Sequence, residues 1–112
     1  MTGAPILSSK AALRSGTGLV YLLTGSELES QTSSQLKELV GIPLASENGA
    51  VSKESFKQIM QFSKKVDLLA AGPGLSRTSS VKNVIENILK NLKTPLLLDA
   101  DALNSINKLE LL

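Results

Sequence analysis

The stretches Val66–Leu75 (VDLLAAGPGL) and Pro95–Asn104 (PLLLDADALN) decide the fold. Each begins as a short apolar run and ends abruptly in glycine or aspartate residues. Buried strands of a parallel sheet have such apolar runs, and ligands bind beyond the carboxyl ends of these strands. Because a single helix separates the two stretches, their ends should lie side by side. The pair predicts a ligand crevice at one edge of a parallel sheet.

The clearest helical pattern lies between these two stretches. Apolar residues recur there with the i, i+3, i+4, i+7 spacing of one buried face, which predicts a helix over 79–92. The residues of this face are Val81, Val84, Ile85, Ile88, Leu89 and Leu92. A strand, a helix and a second strand in this order form a βαβ unit with a right-handed crossover.

The rest of the chain continues the alternation of helices and strands. Gly16 is the predicted stop of the first helix, Ser52 is the predicted N-cap of a later one, and Pro43 favours an edge strand or a strand end. The polar residues 25–34 are expected to form a surface loop or a weak helix. Strands are predicted over 19–24, 40–44, 66–71 and 96–99, and the other helices over 5–15, 35–39 and 102–108.

Composition limits the possible functions. The 112 residues suffice for one domain, and the 42% hydrophobic and 20% charged residues are typical of a soluble protein. No apolar run is long enough to span a membrane, and no secretory signal is expected at the start. Without cysteine or histidine, the chain has no disulfide, no thiolate metal site and no Ser-His-Asp triad. The absence of cysteine fits a cytoplasmic protein.

Charge gives little indication of a nucleic-acid partner. The formal net charge is only +2, and the aromatic residues are limited to Tyr21, Phe56 and Phe62. Nucleic-acid binding usually needs a basic stripe with stacking aromatics. We therefore expect no nucleic-acid partner and interpret most lysines as part of a solvated surface.

Glycines follow the predicted strand at 66–71 directly. Gly72 and Gly74 could let the backbone approach a ligand, with the next helix directing its unpaired N–H groups at a phosphate. Alternatively, the pair could form a tight strand-to-helix turn that binds nothing, which is the more common role of a lone Gly-x-Gly. The stretch lacks the lysine of a Walker loop and the third glycine of the dinucleotide fingerprint.

Carboxylates follow the second strand. Asp99 and Asp101 could hold Mg²⁺ through water, accept hydrogen bonds from ribose hydroxyls or act as a base. Alternatively, Asp101 caps a helix that begins at Ala102, with Asn104 serving the same first turn. A charged Asp99 at the end of a buried strand needs a partner, which favours a role in a site.

Four motifs in order resemble the ADP- or ATP-dependent NAD(P)H-hydrate dehydratases, which are metabolite repair enzymes. These motifs are Thr2–Pro5 (TGAP), Ala11–Val20 (AALRSGTGLV), Gly72–Leu75 (GPGL) and Leu98–Asn104 (LDADALN). The resemblance implies an α/β fold of the ribokinase type, with three layers and a mainly parallel sheet between flanking helices. It also implies dehydration of the S epimer of hydrated NADH or NADPH, with ADP or ATP and Mg²⁺ as cofactors.

The resemblance also implies roles for individual residues. Ala4 and the glycine-rich turn, Gly72 or Gly74, would contact the hydrated dinucleotide. Asp99, Asp101 and Asn104 would lie on the substrate side of the site. The full-length form is expected to be a homo-oligomer that binds the hydrated dinucleotide and an adenine nucleotide.

The sequence departs from the family pattern in two respects. Ser76 stands where family members usually have glycine, so its Cβ could crowd a ligand or its hydroxyl could contact one. In addition, residues 1–112 form a partial domain without the family's first strand and without the Gly-Thr-Gly-Asp motif that bears the catalytic aspartate. We therefore expect a truncated chain with no catalytic residue of its own and without activity alone. The alternatives are a piece of another ribokinase-like small-molecule kinase and a non-catalytic binding module.

Overall fold

Helices and mainly parallel strands make up the part of the chain that a computed structural model describes, residues 3–25, 38–72 and 75–106. Their combination confirms the α/β class. In chain order the elements are α1 (Gly3–Arg14), β1 (Val20–Gly25), β2 (Leu39–Leu44), β3 (Ser46–Glu47), β4 (Ala50–Val51), α2 (Ser55–Ser63), β5 (Leu69–Ala71), α3 (Ser79–Asn91), β6 (Leu96–Leu98) and α4 (Ala100–Asn104).

The strands form three separate pairs within the described ranges. Strands β1 and β2 are parallel, with Val20 opposite Leu39 and Gly25 opposite Leu44. Strands β5 and β6 are also parallel, with Leu69 opposite Leu96, whereas β3 and β4 form a short antiparallel pair. The parallel pair β5–β6, joined by α3, confirms the predicted βαβ unit, whereas the connection between β1 and β2 lies outside the described residues. Pro43 lies in β2, which pairs with β1 alone in this part of the chain, so the predicted edge position is confirmed.

Helix α3 supplies the centre of the apolar core. Its N-cap is Thr78, whose hydroxyl accepts a hydrogen bond from the Val81 N–H at 3.2 Å. Four residues of the predicted face are almost fully buried, and the other two, Leu89 and Leu92, are partly buried against the same core. The four are Val81, Val84, Ile85 and Ile88. The predicted helix and its apolar face are therefore confirmed.

The predicted cap of helix α2 is wrong. Ser52 is not the N-cap, because the helix begins at Ser55 and Glu54 occupies the N-cap position. The Ser52 N–H donates instead to the Ala45 carbonyl at 2.9 Å, which keeps Ser52 in the continuation of the β3–β4 hairpin. Its hydroxyl, hydrogen-bonded to the carboxylate of Glu54, is the main cause of the lowered pKa of that exposed group.

Other boundaries differ from the sequence prediction by a few residues. Helix α1 begins at Gly3 rather than at residue 5, β5 begins at Leu69 rather than at 66, and β6 ends at Leu98. Gly16 has a φ of +100° just after α1, so the predicted helix stop is confirmed. The predictions for 25–34 and 35–39 fall mainly on residues outside the described ranges. No helix in the described ranges is long and apolar enough to cross a bilayer.

Shortening the Ile85 side chain tests the core. Ile85 is 1% exposed, so Ile85→Ala should lower the free energy of unfolding by about 2–5 kcal/mol through lost burial and a residual cavity. Urea unfolding measures the change. The control Lys90→Ala, at an exposed position of the same helix, should change it by less than about 0.5 kcal/mol. Equal effects of the two substitutions would contradict this packing.

Candidate functional site

The carboxyl ends of β5 and β6 are joined through their backbones. The Asp99 N–H donates to the Ala71 carbonyl at 3.0 Å, one residue beyond the end of β6. Gly72 is buried with a φ of +142°, and a Cβ at this position would overlap the Asp99 carbonyl oxygen. Glycine is therefore required at position 72 by the close approach of the neighbouring strand end. As predicted, the two strand ends lie side by side.

A second link joins the loops that follow these strands. The carboxylate of Asp101 accepts a hydrogen bond from the Ser76 N–H at 2.8 Å, and its other oxygen lies 3.6 Å from Nε of Arg77. The Arg77 side chain is 66% exposed, so solvent screens this ion pair and the backbone hydrogen bond is the more specific contact. Asp101 therefore holds the β5–α3 loop against the start of α4.

The predicted capping role of Asp101 is wrong. Helix α4 begins at Ala100 rather than at Ala102, so Asp101 lies in its first turn and Asp99 is at the N-cap position. β6 ends at Leu98, so the two carboxylates are not neighbours on one face of a continuing strand. The negative charge of Asp101 near the helix N-terminus is favourable.

The side chain of Asp99, unlike that of Asp101, takes no part in the contacts that join the two loops. The residue has extended backbone angles, φ −148° and ψ 165°, and its carboxylate makes no capping hydrogen bond. It is exposed and lines a cavity of about 880 Å³ that Gly72 also lines. Asp99 is thus placed to contact a bound molecule at the strand ends.

Backbone strain occurs in the same region. Among the described non-glycine residues, positive φ angles occur at Ser76 (75°), Ala100 (49°) and Asn48 (53°). The first two follow the ends of β5 and β6, and residues in this conformation often occur at functional sites. At Ser76 the left-handed conformation is one that glycine adopts without cost.

The remaining predicted residues are less closely gathered. Ala4 lies in the first turn of α1, where its carbonyl accepts a hydrogen bond from the Ser8 hydroxyl at 3.1 Å. Its neighbour Pro5 lines the cavity with Gly72 and Asp99, whereas Ala4 and the exposed Asn104 at the end of α4 do not. Gly74 lies outside the described residues. Of the predicted set, the structure brings together Gly72 and Asp99, with Asp101 adjoining them through Ser76.

The described residues do not form a cage for Mg²⁺. No group of three or more acidic, histidine or cysteine side chains lies together in these ranges. The Asp101 oxygens already face Ser76 and Arg77, which leaves Asp99 as the carboxylate open to a ligand. A metal ion here would depend on phosphate oxygens for most of its ligands.

Two contributors escaped the sequence analysis. Arg77 pairs with Asp101, and Pro5 lines the cavity. The sequence does offer a signal for Arg77, because a cation just after the glycine-rich turn is a candidate partner for the aspartates that follow the next strand. Nothing in the local sequence of Pro5 indicates that it lines this cavity.

Comparison with known proteins decides the family. The family model described as NAD(P)H-hydrate dehydratase matches residues 1–111. The chain belongs to this family. The match covers all four motifs on which the resemblance depends and both strand ends of the candidate site.

Individual relatives agree with the family match. The chain is 31% identical over 107 residues to a bifunctional NAD(P)H-hydrate repair enzyme of Dictyoglomus turgidum, covering 94% of this chain and 21% of that protein. It is 28% identical over 113 residues to an ATP-dependent (S)-NAD(P)H-hydrate dehydratase of Vitis vinifera, covering 91% of this chain and 32% of that protein. The chain thus spans between a fifth and a third of the length of these relatives.

Replacing Gly72 tests the joined strand ends. Gly72→Ala should lower the free energy of unfolding by more than about 3 kcal/mol, because the new Cβ adds a backbone clash to the left-handed strain. The matched control is Gly16→Ala, which has the same type of strain at φ +100° but nothing within 4 Å of its Cβ. It should cost only about 1–2 kcal/mol. Urea unfolding of both variants measures the difference, and equal costs would show that Gly72 and Asp99 are not in contact.

Proposed function

We propose that the protein acts in nicotinamide-nucleotide repair, as an ADP- or ATP-dependent dehydratase for the S epimer of NADH or NADPH hydrate. The family match over residues 1–111 carries the proposal. Relatives from Vitis vinifera and Aedes aegypti are named ATP-dependent (S)-NAD(P)H-hydrate dehydratases, which supports ATP as the nucleotide. The joined strand ends and the open carboxylate of Asp99 support the proposal.

Residues 1–112 would supply the substrate side of the site. Gly72 and Gly74 would let the hydrated dinucleotide approach the backbone, and Ala4 would close the site from the start of α1. The carboxylate of Asp99 would accept hydrogen bonds from hydroxyl groups of the substrate. Asp101 and Asn104 would lie beside it, with Asp101 acting through the Ser76 N–H to fix the loop rather than through a free carboxylate.

The proposal extends to the architecture and setting of the protein. Residues 1–112 would be part of a three-layer, ribokinase-like domain whose catalytic aspartate lies outside them. An adenine nucleotide would bind mainly to that other part and bring Mg²⁺ with its phosphates, since no cage of protein ligands is found in the described ranges. The complete protein would be a cytoplasmic homo-oligomer with no nucleic-acid partner.

Activity measurements test the proposed reaction. The protein expressed from its complete open reading frame, called here the intact protein, should restore the absorbance of reduced nicotinamide to hydrated NADH when ATP or ADP is added with Mg²⁺. The chain of residues 1–112 alone should give no recovery above a buffer control. Activity of this chain alone would refute the assignment of the catalytic aspartate to another segment, and an inactive, folded intact protein would refute the reaction.

The role of Asp99 is tested by removing its carboxylate from the intact protein. Asp99→Ala should raise KM for the hydrated dinucleotide by about tenfold, equivalent to about 1.4 kcal/mol, through loss of hydrogen bonds to a charged group. The free energy of unfolding should change little, because the side chain is exposed and caps no helix. The control is Glu47→Ala, an exposed carboxylate in β3 that does not line this cavity. An unchanged KM in Asp99→Ala would remove Asp99 from the substrate site.

A further inference from the structure

The turn of the β3–β4 hairpin consists of Asn48 and Gly49. These two residues connect Glu47 and Ala50, which are paired with each other. Their φ angles are +53° and +79°, and a type I′ turn requires positive φ at both of these positions. Both residues are exposed, and a Cβ built on Gly49 would meet no atom within 4 Å. An Asn-Gly dipeptide therefore lies at the surface with open space beside it.

An asparagine that precedes glycine can react with its own backbone. The backbone nitrogen of Gly49 would attack Cγ of Asn48, so that an N–Cγ bond forms, the Cγ–Nδ2 bond breaks and ammonia leaves with the amide proton. Water then opens the resulting cyclic succinimide at either of its carbonyl carbons, which gives aspartate or isoaspartate. Glycine favours the first step, because it has no Cβ to shield its nitrogen. Asn48 is the one asparagine of residues 1–112 that glycine follows.

The pairing of β3 with β4 is short. It consists of the pairs Ser46 with Val51 and Glu47 with Ala50, and in the described ranges the two strands form a sheet of their own. A two-stranded hairpin of this kind is only marginally stable by itself. Formation of the succinimide requires the backbone angles of Asn48 to change, and local opening at the exposed end of the hairpin allows this at a small cost in free energy.

Two asparagines of helix α3 are in the opposite situation. Asn83 and Asn87 precede the buried, β-branched residues Val84 and Ile88, whose side chains shield the backbone nitrogen. The Nδ2 group of Asn87 also donates to the Asn83 carbonyl at 2.8 Å. Ring formation at either asparagine would require the central helix of the core to open. These two residues are therefore internal controls for Asn48.

The two products would affect the hairpin differently. Aspartate leaves the backbone unchanged, whereas isoaspartate continues the chain through its side-chain carbon and lengthens the turn by one backbone atom. Loop length and turn type fix the register of a hairpin, so the longer turn no longer matches the pairing of β3 with β4. Ala50 and Val51 of β4 are each 6% exposed and belong to the apolar core. A change in the turn is thus transmitted directly to buried residues.

We propose that Asn48 is a site of spontaneous deamidation, and that isoaspartate formed there loosens the β3–β4 hairpin from the core. Water is the co-reactant, and no enzyme is needed. The exposed Asn-Gly turn supplies the reactive group, and the buried strand β4 makes the fold sensitive to its conversion. The inference does not depend on the proposed reaction.

Ageing of the intact protein at physiological temperature and mildly alkaline pH tests the modification. Peptide mass spectrometry measures the conversion of each asparagine, since replacement of the amide by a carboxylate changes the mass. Asn48 should be converted at least about tenfold faster than Asn83 and Asn87, because it alone combines a following glycine with an exposed turn. Conversion of Asn48 no faster than that of Asn87 in the folded protein would overturn the proposal.

Hydrogen exchange distinguishes the longer backbone from the added charge. The Ser52 N–H donates to the Ala45 carbonyl at 2.9 Å across the hairpin, so its protection reports whether the hairpin is closed. In an aged sample, this amide should exchange at least about tenfold faster in the isoaspartyl form than in the unconverted form. The matched control is freshly prepared Asn48→Asp, which carries the charge on a normal backbone and should keep the protection of the unconverted protein. Equal exchange in the isoaspartyl and unconverted forms would contradict the proposal, and so would an equal loss of protection in Asn48→Asp.

Discussion

The close approach of Gly72 to the Asp99 backbone is the constraint on which the site depends. It permits no side chain at position 72. The hydrogen bond from the Asp99 N–H to the Ala71 carbonyl fixes the register of the two strands at their carboxyl ends. A hydrogen bond of 2.8 Å from the Ser76 N–H to the Asp101 carboxylate then holds the following loop against the start of α4. These backbone contacts place the Asp99 carboxylate at the strand ends without using it.

The interior of the fold follows from periodicity. The apolar spacing of α3 predicts its buried face because burial depends mainly on which side of a helix a residue occupies. Predictions for caps were poorer. Ser52 is not the cap of α2 because its N–H donates to the Ala45 carbonyl across a hairpin. The local sequence pattern does not indicate this contact. Strand β5 begins later and β6 ends earlier than the sequence predicts, again because of contacts between distant residues. A strand ends where its hydrogen bonds to the partner strand end.

The location of the candidate site can be predicted from the sequence, but the separate roles of its two aspartates cannot. The sequence places Asp99 and Asp101 together after an apolar run, and the crevice at the strand ends follows from parallel topology. An aspartate here can cap the helix, bind the neighbouring loop or keep its carboxylate free for a ligand. Which of these it does depends on the residue at which the strand ends and the helix begins. That change occurs at Ala100, so Asp101 enters the first helical turn and reaches Ser76, while Asp99 stays open. The family match, and not this geometry, is the basis of the proposed substrate chemistry.

We propose that the joined ends of β5 and β6 face the hydrated dinucleotide. The most direct measurement is an NMR titration of the isotope-labelled intact protein with hydrated NADH in the absence of ATP and ADP. We expect saturable shifts of the Gly72 and Asp99 amides, with little change at Asp67, which lies ahead of β5 at the other end of the strand. Saturable binding with the Gly72 and Asp99 amides unshifted would contradict it.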